Sequence, residues 1–229
     1  DLLPGQPLGI NAGEGRLPFP TRPETILPDS ASKIRTPMTH SYGDRFDFVY
    51  EGSDGTLVYD YRPQNGDWSD FTARWENSQA FQPLAGGGVV ELVGENGSNE
   101  PVEKRELIEA KAQENGVVSR WKLSSKTASA EVEYTIQIMG KSLVIDTIAK
   151  GGVVPAVNFG RIAGIQGPKT FAIPYYLYDY WRRPGVALFK VSPKKEADQP
   201  ISLFASGHID WYRSGASYLL GGHEADGDT

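Results

Sequence analysis

The sequence contains no cysteine. This absence excludes disulfides, thiol nucleophiles and zinc sites built on thiolates, and it leaves the redox compartment open. No apolar run reaches the roughly 18 residues that a membrane-spanning helix needs. Lys plus Arg total 23 against 29 for Asp plus Glu, and no long basic stripe occurs. We therefore expect neither a membrane span nor a nucleic-acid partner.

Histidine is also scarce, with only His40, His208 and His223 in the chain. Two acidic strings, residues 65–67 and 226–228, resemble fragments of calcium loops. Neither string has the ~12-residue ligand spacing that such loops require, so both are interpreted as turns. The sequence thus predicts no metal site and no cofactor.

Turn-forming residues are abundant, with 26 Gly and 16 Pro. Proline recurs through residues 1–44, which predicts an extended N-terminal arm. Residues 45–221 are predicted to form one β-sandwich domain, and residues 222–229 a polar tail or a linker to a missing domain. Because the chain starts at Asp1 without Met, we interpret it as a mature or excised fragment, so the missing signal peptide is no evidence for the cytoplasm. The expected location is extracellular or periplasmic, as for a secreted protein.

Short alternating or apolar runs separated by turn signals dominate from residue 46 onward. Residues 46–50 and 56–61 flank an Asp-Gly turn, and residues 130–138 and 142–149 flank Met-Gly-Lys, so each pair predicts a hairpin. Residues 103–113 are rich in helix formers, but the Asn-Gly that follows favours a hairpin strand. Further strands are predicted at 71–75, 88–93, 107–112, 117–123, 156–165, 170–178, 186–191, 201–206 and 216–220.

Roughly a dozen strands with almost no helix predict an all-β fold, a large antiparallel β-sandwich. Two aromatic segments, residues 171–183 and 208–213, stand out within it. Tyr and Trp combine a flat apolar face with a polar edge, and Arg adds a rigid fork of donors, which suits a polar ring such as a sugar. The candidate ligand-binding residues are Tyr176, Tyr178, Tyr180, Trp181, Arg182, Arg183, His208, Asp210, Trp211, Tyr212 and Arg213.

The same aromatic side chains could instead fill the core or form an interface with another domain, since Trp, Tyr and Arg also dominate interface hot spots. Strand alternation would place Phe171, Ile173 and Tyr175 on one face and the remaining tyrosines on the other. Both interpretations remain open from the residues alone.

The strings at residues 134–146 and 158–162, followed by Ile-Pro-Tyr at 173–175 and Asp-Trp-Tyr at 210–212, resemble the galactose-mutarotase-like supersandwich. Such domains precede the catalytic barrel of many glycoside-hydrolase-like bacterial proteins. The resemblance, which covers about residues 45–220, implies an accessory domain. It also implies two partners, a carbohydrate and a C-terminal catalytic domain in the same polypeptide.

True mutarotases and epimerases of this fold pair histidines with a carboxylate base, but the surroundings of that site are absent here. A lyase would pair a Tyr base with Arg, as Tyr212 and Arg213 could, and a hydrolase would pair carboxylates such as Asp179 and Asp210. No catalytic residue is assigned. The prediction is a noncatalytic accessory or carbohydrate-binding domain; the alternative is a stand-alone sugar-modifying enzyme of mutarotase, epimerase or polysaccharide-lyase type.

Overall fold

The computed structural model of the chain describes residues 38–170, 185–195 and 199–209. These residues form antiparallel sheets and contain no α-helix, only a short 3-10 helix at Trp68–Asp70. The predicted all-β, sandwich-like fold is therefore confirmed. Among the described residues, no helix has the length and hydrophobicity to cross a bilayer.

The first sheet is a four-stranded meander in the order β1-β2-β3-β4. Its inward face forms because apolar and aromatic residues alternate with polar ones, as at Phe46, Phe48 and Tyr50, all buried. The Asp54-Gly55 turn joins β2 and β3, and Gly55 has a φ of 141° that suits glycine. The strands are β1 (Met38–Tyr42), β2 (Arg45–Gly52), β3 (Gly55–Tyr61) and β4 (Phe71–Trp75).

The second large sheet has the order β11-β10-β9-β8, again antiparallel. Alternation in β10 buries Val132, Tyr134 and Ile136, while Glu131 and Glu133 lie on the other face. The competing helix at 103–113 does not form, because the segment pairs along its length with the following strand. The strands are β8 (Lys104–Gln113), β9 (Gly116–Ser124), β10 (Ser129–Met139) and β11 (Ser142–Lys150).

These two sheets face each other across the main core. Trp121 of the second sheet and Phe71 of the first are almost fully buried in it. A buried hydrogen bond crosses the layers, with the Tyr61 hydroxyl 2.8 Å from Ser119 Oγ. Burial of many large side chains between two sheets is the main source of stability of such a sandwich.

The turns of two hairpins meet at one end of the sandwich. Lys141, between β10 and β11, forms an ion pair with Asp54, between β2 and β3. The Lys141 ammonium nitrogen also lies 5.3 Å from the ring centroids of Tyr50 and Trp75, a favourable cation–π distance. The Tyr59 hydroxyl donates to the Lys141 carbonyl at 2.9 Å. This set of contacts fastens the two large sheets together.

Three smaller sheets complete the described structure. Phe81 and Phe189 pack edge to face with centroids 5.5 Å apart in a second core beside the third of these sheets. The pairs are β5 (Gln82–Ala85) with β12 (Arg161–Ala163) and β6 (Glu91–Val93) with β7 (Asn99–Pro101), and the third sheet has the order β13 (Gln166–Thr170), β14 (Gly185–Val191) and β15 (Ile201–Gly207).

Several boundaries differ from the sequence-based ones. β1 lies within the segment predicted as an extended arm, whose residues 1–37 are outside the described residues. β5 and β7 were not predicted, because Pro83 and Pro101 argue against a strand; both strands are short members of two-stranded sheets, where proline is tolerated. The predicted strand at 216–220 and the tail at 222–229 also lie outside the described residues.

Candidate functional site

The outer face of β15 carries a strip of exposed side chains. Alternation along this strand turns Ile201, Leu203 and Ala205 toward the second core. Phe204 on the opposite face is 72% exposed, more than any other large hydrophobic side chain among the described residues. Its exposed neighbours at the same spacing are Ser206 and His208. We call Phe204, Ser206 and His208 the β15 strip.

The β15 strip combines an apolar ring with hydrogen-bonding groups. His208 Nε2 lies 3.0 Å from Ser206 Oγ, so the imidazole and the hydroxyl are joined by a hydrogen bond. The hydroxyl partner orients the ring but does not provide the carboxylate that a mutarotase-type base would require. The arrangement can stack against an apolar face and exchange hydrogen bonds with a polar ligand.

In the third sheet, the described residues that flank the two aromatic segments of the sequence lie at one end. Strand β13 ends at Thr170, and the chain returns at Gly185 to begin β14. Gly185 pairs with Gly207, the last residue of β15. The segments 171–184 and 208–213 are therefore both attached at the same end of this sheet, next to the β15 strip.

Of the candidate ligand-binding residues, the structure describes only His208, which is exposed. The others remain predictions, because they lie outside the described residues: Tyr176, Tyr178, Tyr180, Trp181, Arg182, Arg183, Asp210, Trp211, Tyr212 and Arg213. Phe204 could have been recognised as a candidate from the sequence. It alternates with Ser202 and Ser206, two small polar residues that indicate the outer face of the strand.

A second polar cluster, missed in the sequence, occupies the outer face of β2 and β3. Asp47 and Asp60 are directly opposite each other in the register. Arg45 Nε lies 3.0 Å from Asp47 Oδ1 and also contacts Asp60, while Arg62 Nε lies 3.1 Å from Asp60 Oδ1. The Asp47 and Asp60 side chains are only 16% and 15% exposed. The symmetrical Arg-x-Asp and Asp-x-Arg spacing about the hairpin turn was the available signal.

Paired carboxylates can serve as acid and base, so the charge state of this cluster matters. Burial raises the pKa of Asp47; Arg45 opposes this shift and Asp60 adds to it. Both carboxyls are nevertheless held in ion pairs with arginine, which compensates their charge and occupies their oxygens. The geometry fits a structural ion-pair network between neighbouring strands.

No metal centre appears in the described part of the chain, where no group of three or more His, Cys, Asp or Glu is placed to hold an ion. The Asp47–Asp60 cluster and the β15 strip differ in the exposure of their side chains. Arginines engage the Asp47–Asp60 pair, whereas the side chains of the β15 strip are exposed.

Comparison with known proteins yields no family model, curated protein or solved structure that matches this chain. The galactose-mutarotase-like resemblance thus depends on the sequence pattern alone and stays a prediction.

Proposed function

We propose that this chain is a noncatalytic accessory domain of a larger carbohydrate-active, glycoside-hydrolase-like protein, and that it contacts carbohydrate through the β15 strip. The observation that carries the proposal is Phe204, an aromatic side chain 72% exposed on a strand whose other face is packed. An exposed ring beside hydrogen-bonding side chains is the chemistry that stacks on the C–H face of a sugar while binding its hydroxyls.

The location of the β15 strip supports the same proposal. Aromatic segments rich in Tyr, Trp and Arg are attached beside it, since Thr170, Gly185 and Gly207 lie at one end of the third sheet. Such residue types also suit an interface with a catalytic domain of the same polypeptide. Carbohydrate and that domain are thus the two proposed partners.

Binding by the isolated chain tests the carbohydrate contact. We expect calorimetry on a broad panel of soluble oligosaccharides to find at least one ligand. Phe204→Ala should weaken its affinity about three- to tenfold, the value of one aromatic contact. Tyr42→Ala is the matched control, because Tyr42 is 61% exposed on β1, in a different sheet. His208→Ala should weaken binding without changing the fold.

The proposal fails if Phe204→Ala and Tyr42→Ala affect affinity equally, since the contact would then lie elsewhere. Turnover of a glycan by the isolated chain would contradict its noncatalytic part. Loss of that turnover in His208→Ala would favour the enzymatic alternative. A chain that binds no member of the panel and no catalytic domain added in trans would overturn both proposed partners.

A further inference from the structure

Arg105, a half-buried arginine on β8, has no carboxylate partner among the described residues. Arg105 lies on β8 opposite buried Leu123, so its side chain starts toward the core. Its Nη1 and Nη2 are 3.5 Å from the carbonyl oxygens of Val102 and Val89, at the outer limit of hydrogen bonding. Its Nε is buried and has no hydrogen-bond partner. Among the described residues, no carboxylate forms a salt bridge with it.

Two more donors face the same stretch of backbone. Trp68 is 6% exposed, and its indole Nε1 has no hydrogen-bond partner. The Tyr134 hydroxyl oxygen accepts from the Val89 N–H at 3.1 Å, which leaves its own hydrogen to donate. A Cβ atom added to Gly88 would lie 3.1 Å from the Tyr134 hydroxyl oxygen and 3.5 Å from Trp68 Nε1. The three groups therefore surround the Gly88–Val89 backbone.

All three groups offer hydrogens, and two of the donor atoms, Arg105 Nε and Trp68 Nε1, have no acceptor among the described residues. Burial is the largest influence on the Tyr134 hydroxyl and raises its pKa, so the phenol remains a donor at neutral pH. A buried donor without an acceptor costs about 1–3 kcal/mol, and a buried unpaired charge costs more. An oxyanion would satisfy this deficit, because the guanidinium fork matches two oxygens of a carboxylate or phosphate.

Gly88 lets the backbone pass close to these donors, since a Cβ at this position would already lie 3.1 Å from the Tyr134 hydroxyl. Its φ of 97° is a conformation that other residues rarely adopt. Arg105 itself is only half-buried and lies on β8, the edge strand of its sheet.

We propose that Arg105, Trp68 and Tyr134 form a binding site for one small oxyanion beside the Gly88–Val89 backbone. The site accepts a carboxylate or an inorganic phosphate. It is separate from the β15 strip and does not depend on the proposed carbohydrate function.

The test follows the indole N–H resonances of the ¹⁵N-labelled chain while sodium acetate or sodium phosphate replaces sodium chloride at constant pH and ionic strength. Trp68→Phe assigns the Trp68 resonance by its loss. We expect that resonance to move and saturate. A response to acetate alone identifies a carboxylate site, a response to phosphate alone identifies a phosphate site, and a response to both identifies a general oxyanion site.

Arg105→Met should weaken the binding at least about tenfold, because it removes the charge-assisted hydrogen bonds. The affinity of Arg105→Lys for the oxyanion should lie between those of the unmodified chain and Arg105→Met, since lysine keeps the positive charge but lacks the two parallel donors of the guanidinium. The matched control is Arg120→Met, which removes an exposed arginine from the outer face of the adjacent strand β9. This control should bind as the unmodified chain does.

The proposal is overturned if the Trp68 resonance stays fixed up to about 100 mM of either anion, far above the millimolar range expected of a weak specific site. It is also overturned if folded Arg105→Met binds like Arg120→Met. Should Arg105→Met not fold, the wild-type titration and Arg105→Lys decide the question by the same criteria.

Discussion

Asp70 and Arg105 are two charged side chains in the same region, but only Asp70 has its hydrogen-bonding capacity filled by the chain. The Asp70 carboxylate accepts from the backbone N–H groups of Gln64, Asn65 and Gly66 at 2.9–3.1 Å, and from the Asn65 amide. Arg105 has two marginal contacts and a buried Nε without a partner.

The two groups are close neighbours. A Cβ atom added to Gly66 would lie 3.1 Å from the Arg105 Cβ and 2.7 Å from the Trp121 ring. The loop that surrounds the Asp70 carboxylate therefore also packs against Arg105. The loop directs three N–H groups to Asp70, and no hydrogen bond or salt bridge joins Asp70 to Arg105. The Asp70 carboxylate is therefore held by hydrogen bonds from its own loop, whereas the Arg105 Nε has no partner among the described residues.

The largest loss of stability is expected when Asp70 is replaced, because its carboxylate accepts several hydrogen bonds. Asp70→Ala should lower the free energy of unfolding by about 2–4 kcal/mol, because several loop N–H groups lose their acceptor together. Urea denaturation followed by fluorescence measures the change. Asp70→Asn is the control, since it retains an oxygen acceptor and should lose less. Equal losses in both variants would mean that the charge matters more than the hydrogen bonds.

An intermediate effect is expected at the more exposed charge pair of Asp54 and Lys141. Asp54→Asn should cost about 0.5–1 kcal/mol, as for a partly exposed salt bridge with a cation–π contact. The hydrogen bond from Lys141 is the largest influence that lowers the pKa of Asp54 below its ordinary 3.8. The stabilisation of the fold by ionised Asp54 is therefore complete well above pH 3.8, and it is lost as the pH falls through the lowered pKa.

Denaturant midpoints measured from neutral to acidic pH test this linkage. The difference in stability between the unmodified chain and Asp54→Asn should shrink at the acidic end. A difference that stays constant across the range would show that Asp54 does not titrate differently in the folded and unfolded chains.

The smallest stability effect is expected at Arg105. Without a bound oxyanion, Arg105→Met should leave the free energy of unfolding within about 1 kcal/mol of the unmodified value, or raise it, because it replaces an unpaired charge with an apolar side chain. The same urea titrations, in chloride buffer, measure it. A loss as large as that of Asp70→Ala would show that the chain itself satisfies Arg105, and the contrast between the two residues would disappear.

The sequence predicted those strands whose patterns are local. Alternation in β10 and the Asp-Gly turn between β2 and β3 are visible along the chain, and both hairpins formed as expected. Strands β5 and β7 were not predicted because each contains a proline, which disfavours a strand assignment. Arg105 was missed because the predicted strand began at residue 107, and the bulge between Leu107 and Glu109 breaks the alternation that would have assigned its face.

By itself, the sequence determined the all-β class, the antiparallel hairpins and the inward face of β10, because period-two alternation and turn chemistry act between near neighbours. Only the tertiary structure decided which elements meet. It placed Lys141 against Asp54, the Asp70 loop against Arg105, and Thr170, Gly185 and Gly207 at one end of a sheet. These contacts join residues far apart in the chain, and packing between sheets leaves no periodic signal in the sequence that could reveal them.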